Sequence, residues 1–333
     1  MDKVKDLSTV DLKELQKRFE FYKNQLPSGF ATLDKTAPIL PGLYVLGALP
    51  ATGKTTFMLN VAENICKSGT PILYVSYEQE YEEMLAHLIA NQWFKILCLK
   101  EDKNETRTFK VNKKALKESP SAQEILMQFS TCGNEEFRIK QQSKFENLFR
   151  IWQDYHKKFY FLRGVTESAT ELQKVIEKYV DEYGVKFVVV DYLQMIPAEP
   201  KDFKKSIREV TDSAVKMLNN LSKDKGISIF AVSALNRENY KEFANLTAFK
   251  ESGGIEYSAR TAFILQAKLN EGQARNYDNL KNEKKKTPRL VELVCVKGRY
   301  NAEETVDFKY YSKYATFFEC ESEEEPKRKG MRV

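Results

Sequence analysis

Residues 43–66 constrain this chain more tightly than any other stretch. A short apolar run, Leu43–Leu46, leads into Gly47-Ala48-Leu49-Pro50-Ala51-Thr52-Gly53-Lys54-Thr55-Thr56. Phe57, Met58, Val61, Ala62 and Ile65 then recur at helical spacing. Strand, glycine-bearing loop, Gly-Lys-Thr and helix, in that order, form the layout of a phosphate-binding P-loop. Loop N–H groups and the positive end of the helix dipole would face the phosphates. Gly53 allows close backbone approach, Lys54 reaches the β/γ-phosphates, and the Thr55 hydroxyl holds Mg²⁺. Ala51, Thr52 and Thr56 complete the expected cradle. The spacing departs from the usual pattern, because Ala48 stands where the first glycine is expected and Gly47 is one place early. Taken alone, Gly-Lys-Thr could be a glycine-bearing turn with a surface lysine. The flanking strand and helix favour a nucleotide site.

Further apolar runs follow at 71–76, 158–162, 186–191, 227–233, 261–266 and 290–296, and 305–318 reads as a hairpin. Helical patterns separate them. Tyr81 to about Leu97 is one. Ser168 and Glu171 form a capping box for a helix that stops at Gly184, and a helix from Ile207 ends near Gly226. Alternating strands and helices imply an α/β protein with a doubly wound, mainly parallel central sheet flanked by helices. Right-handed crossovers then gather the loops at the carboxyl ends of the strands. Residues 98–157 read as a polar, helical insertion, and 267–288, with Lys284-Lys285-Lys286, as a polar, solvated loop. The charged stretch 322–333 reads as disordered. Residues 1–25 read as one helix, with Leu12, Leu15, Phe19 and Tyr22 on one face, lying on its own domain or docked on a neighbouring subunit.

Composition narrows the chemistry. With 42% hydrophobic residues, the 333-residue chain has enough apolar material for a sizeable core. No apolar run reaches the length of a membrane span, and the start lacks an apolar signal core, so no membrane partner is expected. Five scattered cysteines without a Cys-x-x-Cys pair, and only two histidines, argue against a zinc site, a disulfide framework or histidine-based catalysis. They suit a reducing cytoplasmic setting. A net charge of +6 permits a polyanionic partner without requiring one.

Two acids stand at strand ends. Asp191 closes the run Phe187-Val188-Val189-Val190, where a Walker B aspartate would bind Mg²⁺, although such an acid can also simply cap a turn. Glu78 follows the strand ending at Ser76 and could polarise a water in line with the γ-phosphate, or be one of several exposed acids.

Several blocks, in order across residues 26–300, resemble the C-terminal RecA-type motor domain of DnaB-like replicative helicases. They are Leu26-Pro27-Ser28-Gly29-Phe30-Ala31-Thr32-Leu33-Asp34, Ala48-Leu49-Pro50-Ala51-Thr52-Gly53-Lys54-Thr55, Ser76-Tyr77-Glu78-Gln79 and Asp191-Tyr192-Leu193-Gln194-Met195. Ser233-Ala234-Leu235-Asn236-Arg237, Lys250-Glu251-Ser252-Gly253-Gly254-Ile255-Glu256 and Lys297-Gly298-Arg299 continue the series. The family's P-loop also usually lacks the first glycine, which removes the spacing objection.

The resemblance implies a RecA-like P-loop NTPase over residues 26–321 that hydrolyses Mg-ATP and unwinds DNA 5′→3′ in replication. Glu78 would be the catalytic base and Asp191 the magnesium aspartate. Lys297 and Arg299 would reach the γ-phosphate of an adjacent subunit in a homo-oligomeric ring, a hexamer; otherwise they are two surface cations. Single-stranded DNA would run along Lys201, Lys204, Lys205 and Arg208 and along Lys250, Glu251 and Gly253. The lysines of the first group would serve equally as a solvated helix start. A primase or a helicase loader is a further partner of such motors. Departures stand beside these matches. Ala234 replaces a family glutamine that senses the γ-phosphate, Arg260 replaces an acid, Tyr300-Asn301 follows Arg299 in place of a glycine, and the family's N-terminal helical domain is not in this sequence. A DNA-dependent ATPase that does not unwind, or a nucleotide-gated scaffold, therefore stays open as an alternative.

Overall fold

The computed structural model describes residues 11–13, 25–101, 107–130, 153, 156–164, 167–200, 204–235, 245–249, 253–270, 272–273, 276–298 and 304–320. Most of the arm at 1–25, the tail at 322–333 and much of the insertion lie outside them.

In chain order the described elements begin with α1 (Ala31–Thr36), β1 (Gly42–Ala48), α2 (Lys54–Lys67), β2 (Ile72–Ser76) and α3 (Tyr81–Cys98). The insertion opens with β3 (Leu99–Glu101) and β4 (Arg107–Phe109), followed by α4 (Lys113–Glu118) and α5 (Ala122–Ser130). Then come β5 (Phe159–Arg163), α6 (Ala169–Tyr183), β6 (Phe187–Asp191), α7 (Ile207–Lys225) and β7 (Ser228–Ala234). The chain closes with α8 (Gly253–Ser258), β8 (Thr261–Ala267), α9 (Tyr277–Glu283), β9 (Arg289–Gly298), β10 (Thr305–Tyr311) and β11 (Thr316–Glu319).

Nine strands form one sheet in the order β11-β10-β9-β8-β1-β7-β6-β2-β5. Pairing is parallel from β8 through β5, and β9, β10 and β11 extend the sheet antiparallel. The uninterrupted apolar runs follow from burial on both faces. Side chains alternate between two cores with the strand period of two. Tyr44, Leu46, Ile72, Tyr74, Phe187, Val189, Phe230 and Val232 pack with α2 on one face. Leu43, Val45, Leu73, Val75, Val188, Val190, Ile229 and Ala231 pack with α6 and α7 on the other.

The local signals behave as their chemistry requires. Ser168 and Glu171 form the expected capping box, and Gly184 ends α6 at φ +67°. Ser206 and Glu209 cap α7 in the same way, and Gly226 ends it. Two segments differ from expectation. The insertion carries a short antiparallel ribbon, β3–β4, that a helical reading omits. The loop predicted over 267–288 contains helix α9, because the Asn276 side chain accepts a hydrogen bond from the Asn279 N–H and Leu280 is buried.

Candidate nucleotide-binding site

The carboxyl ends of β1, β2, β6 and β7 align along one edge, since Ala48 registers with Ala234 and Ser76 with Asp191. The P-loop leaves β1 there. The Thr52 N–H and hydroxyl both donate to the Leu49 carbonyl, at 3.3 and 2.8 Å, and fold the loop back on itself. Ala51 at φ +60° and Gly53 at φ +103° turn it into α2, whose first residue is Lys54. Gly47 has a different task. A Cβ there would lie 2.5 Å from Phe249 and 2.6 Å from Leu235, so this glycine serves packing inside β1.

Asp191 has the same strand parity as Phe187 and Val189, so its side chain projects to the face covered by α2. Thr55 donates its hydroxyl to Asp191 Oδ2 at 2.7 Å, and Tyr74 donates to the same oxygen at 3.0 Å. Asp191 is 1% exposed, and its Oδ1 is buried without a hydrogen-bond partner. Burial pushes its pKa above the ordinary carboxylate value. Hydrogen bonds from Thr55 and Tyr74 and the charge of Lys54 oppose the rise, while Glu78 adds to it. Burial lowers the Lys54 pKa, against the attraction of Asp191 and Glu78. An orphaned carboxylate oxygen beside a threonine hydroxyl fits a hydrated Mg²⁺ ion. Among the described residues no group of three or more His, Cys, Asp or Glu gathers to hold a metal unaided, so most ligands of a metal here would be water or phosphate oxygens.

Glu78 is exposed at the mouth of the site, in a loop held from several sides. The Ser76 hydroxyl bonds both the N–H and the carbonyl of Gln79, and Tyr77 donates its backbone N–H to the Asp191 carbonyl at 2.7 Å. Arg163, at the end of β5, donates to Glu80 Oε1 at 2.8 Å and to the Ser76 and Gly164 carbonyls. The loop is therefore fixed while the Glu78 side chain is left in solvent.

The back of the P-loop is braced by residues that sequence reasoning missed. The Tyr310 and Phe317 rings stack at 4.1 Å beneath Gly53, and the Tyr310 hydroxyl donates to Thr56 Oγ1 at 3.4 Å. Thr56 thus commits its side chain to the core rather than to the cradle. Arg289 lies over the Tyr310 ring at 5.7 Å and donates to the Ala51 carbonyl. Lys284, expected in a solvated loop, donates to the Pro50 carbonyl at 2.9 Å, and burial lowers its pKa. Lys286 pairs with the buried Glu283. The turn after α9 and the antiparallel entry of β9 bring Lys284 and Arg289 to the P-loop. Asn60, in the second turn of α2, bonds the Ala315 carbonyl and the Phe317 N–H and ties the helix to the β10–β11 hairpin.

The residues assigned to DNA fall as follows. Lys204, Lys205 and Arg208 are exposed at and before the start of α7. Gly253 opens α8, and the neighbouring Gly254 N–H donates to Asp212 of α7, so the two segments adjoin. Lys201, Lys250 and Glu251 lie outside the described residues. The peptide of Ala234 is held by Gln194, whose amide accepts from the Ala234 N–H and donates to the Ser233 hydroxyl. Lys297 registers with Ala262, which registers with Val45. That is three residues short of the end of β1, about 10 Å back from the P-loop edge. Its Nζ donates to the Glu256 carbonyl of the same chain. Lys297 is therefore well away from its own P-loop. Arg299 lies outside the described residues. No helix among the described residues is long and apolar enough to cross a membrane.

The family model for the DnaB-like helicase C-terminal domain matches residues 25–140 and 95–319. A probable replicative DNA helicase of Trieres chinensis is 23% identical over 302 residues, covering 88% of this chain and 57% of that protein. The replicative DNA helicase DnaB of Pasteurella multocida is 26% identical over 302 residues, covering 87% and 55%. The chain thus spans a little over half the length of these relatives. Among solved structures, an ATPase domain superposes with a TM-score of 0.70 at 19% identity over 95% of this chain and 100% of that one. A DnaB-like replicative helicase studied for its interactions with primase gives 0.67 at 19% identity, covering 93% and 69%. These two likenesses show the RecA-like fold.

Proposed function

Because the chain belongs to the DnaB-like helicase C-terminal domain family, we propose that it is an ATP-driven motor that moves along single-stranded DNA and unwinds duplex 5′→3′ during replication. The observation that carries the reading is the buried Asp191 held by the Thr55 hydroxyl beside Lys54, with one carboxylate oxygen unclaimed. ATP would lie on the N–H groups of Ala51 to Thr56, with Lys54 against the β/γ-phosphates. Thr55 and Asp191 would hold Mg²⁺, which when bound supplies charge neutralisation to the phosphoryl oxygens. Glu78, exposed on its fixed loop, would orient the attacking water and accept its proton. The distance of Lys297 from its own P-loop supports a role for Lys297 and Arg299 at a neighbour's nucleotide. A cation supplied in trans makes turnover depend on assembly, here a homo-oligomeric ring of hexamer type. Lys204, Lys205, Arg208 and Gly253, with Lys201, Lys250 and Glu251, would follow the DNA phosphates without reading bases. A primase is a candidate partner, in line with the primase interactions named for one solved relative, and a loader is another.

The test pairs two assays. ATP turnover is measured with and without single-stranded DNA, and strand displacement on a forked duplex with ATP. The reading expects DNA-stimulated turnover and unwinding, both lost in Glu78→Gln while ATP still binds. DNA-stimulated turnover without strand displacement refutes the helicase assignment. Intact turnover in Glu78→Gln refutes the catalytic assignment.

A further inference from the structure

Tyr74 lies in the middle of β2, where Ile72, Leu73 and Val75 are hydrocarbon. It is fully buried among the aromatic rings and aliphatic side chains that pack between the sheet and α2. A phenylalanine would fill the same space, and a buried phenol hydroxyl is costly unless an acceptor meets it. The register supplies one. Tyr74 pairs with Val189 on β6, so Asp191, two residues on, is its diagonal neighbour on the same face and within reach of an aromatic side chain. The hydroxyl donates to Asp191 Oδ2 at 3.0 Å. Thr55 donates to that same oxygen, and Oδ1 is left buried and unpartnered.

We propose that Tyr74 is a positioning residue for the metal site: its hydroxyl pins Asp191 Oδ2 so that Oδ1 is presented to the hydrated cation that accompanies the nucleotide. This rests on the nucleotide-site reading above. The Thr55 hydroxyl has a second duty toward the cation itself. Tyr74 is the donor without one, and it arrives from a strand paired on both sides rather than from the helix start that meets the phosphates. Two donors on one carboxylate oxygen fix the rotation of the group. One donor leaves it free to turn its unpartnered oxygen back to the threonine. Charge-assisted hydrogen bonds of this kind are stronger than neutral ones and set geometry as well as energy. A tyrosine at this point of β2 therefore acts through Asp191 on the affinity for the divalent cation, not on the affinity for the nucleotide.

The experiment compares the full chain with Tyr74→Phe, which keeps the ring and removes the hydroxyl. A fluorescent ATP analogue is titrated in the presence of a chelator, and Mn²⁺ is titrated against the nucleotide-saturated protein by electron paramagnetic resonance. The inference expects metal-free nucleotide affinity within about twofold of the wild type and Mn²⁺ affinity weaker by about tenfold, the equivalent of one hydrogen bond to a carboxylate. Unchanged Mn²⁺ affinity overturns it. So does a parallel loss of both affinities, which would mark a structural role only. If the wild type binds the analogue neither with nor without metal, the nucleotide-site reading itself has failed, and this inference falls with it.

Discussion

Replacing Gly53 with alanine puts the P-loop under two separable strains. The backbone sits at φ +103°, which an L side chain rarely adopts, and holding a non-glycine residue in such a region costs about 1–3 kcal/mol. The added Cβ would also meet Tyr310 at 2.8 and 3.0 Å and Phe317 at 3.1 Å. Those rings are stacked on each other and buried, so they have little room to yield. Overpacking of this kind costs about 1–3 kcal/mol. The loop can escape both by moving, at the expense of its N–H cradle, while the sheet stays folded. Nucleotide affinity should therefore fall by roughly thirtyfold or more, with little change in global stability. Fluorescent ATP-analogue binding and urea denaturation read the two quantities. Repeating the substitution in a Tyr310→Leu background removes the two closest ring contacts and leaves the Phe317 contact and the backbone strain, so the affinity penalty should shrink there without vanishing. A Gly53→Ala protein that binds within about threefold of wild type, or an equal penalty in both backgrounds, refutes the reasoning.

Three further outcomes follow from other parts of the structure. Burial lowers the Lys95 pKa from 10.5 to about 8, so below about pH 8 its ammonium is charged in both states and its burial costs the fold about 3 kcal/mol. That cost is relieved as pH rises from about 8 to 10.5, where the unfolded chain binds the proton more tightly. Lys95→Met should therefore be more stable than wild type at pH 7, with the gap narrowing by pH 10; a less stable variant at pH 7 in urea denaturation contradicts this. Asn60→Ala strands the buried Phe317 N–H and removes a bond to Ala315, and should lower the unfolding free energy by about 2–4 kcal/mol, read by the same method. Arg163→Ala frees the loop that carries Glu78 and should reduce kcat several-fold with KM for ATP unchanged; a change in KM alone would place Arg163 in binding rather than in alignment of Glu78.

The P-loop, Asp191 and the capped helices were legible because each rests on local chemistry: a glycine turn before a helix, an acid closing an apolar run, a serine three residues before a glutamate. Tyr74 was not. On a buried strand it reads as one more large apolar residue, and its meaning depends on which strand pairs beside it and in which register. Lys284 and Arg289 were illegible for a related reason. A lysine-rich stretch reads as solvent-exposed, and only the antiparallel addition of β9 to β8 turns it toward the carbonyls of Pro50 and Ala51. Gly47 invited a phosphate-binding explanation by its place in the sequence, whereas Phe249, distant in the chain, accounts for it. Short-range signals thus mark the candidate site. The groups that brace it come from strand order, which a single sequence does not disclose.

Turnover measured as a function of protein concentration, with mass determined on the same samples in ATP and single-stranded DNA, tests the shared-site account most directly. ATP hydrolysis per subunit should rise with concentration in step with assembly, and Arg299→Ala should assemble and bind ATP but not turn it over. A monomer that hydrolyses ATP at the full rate, or an Arg299→Ala protein that does so, would contradict a site completed by its neighbour.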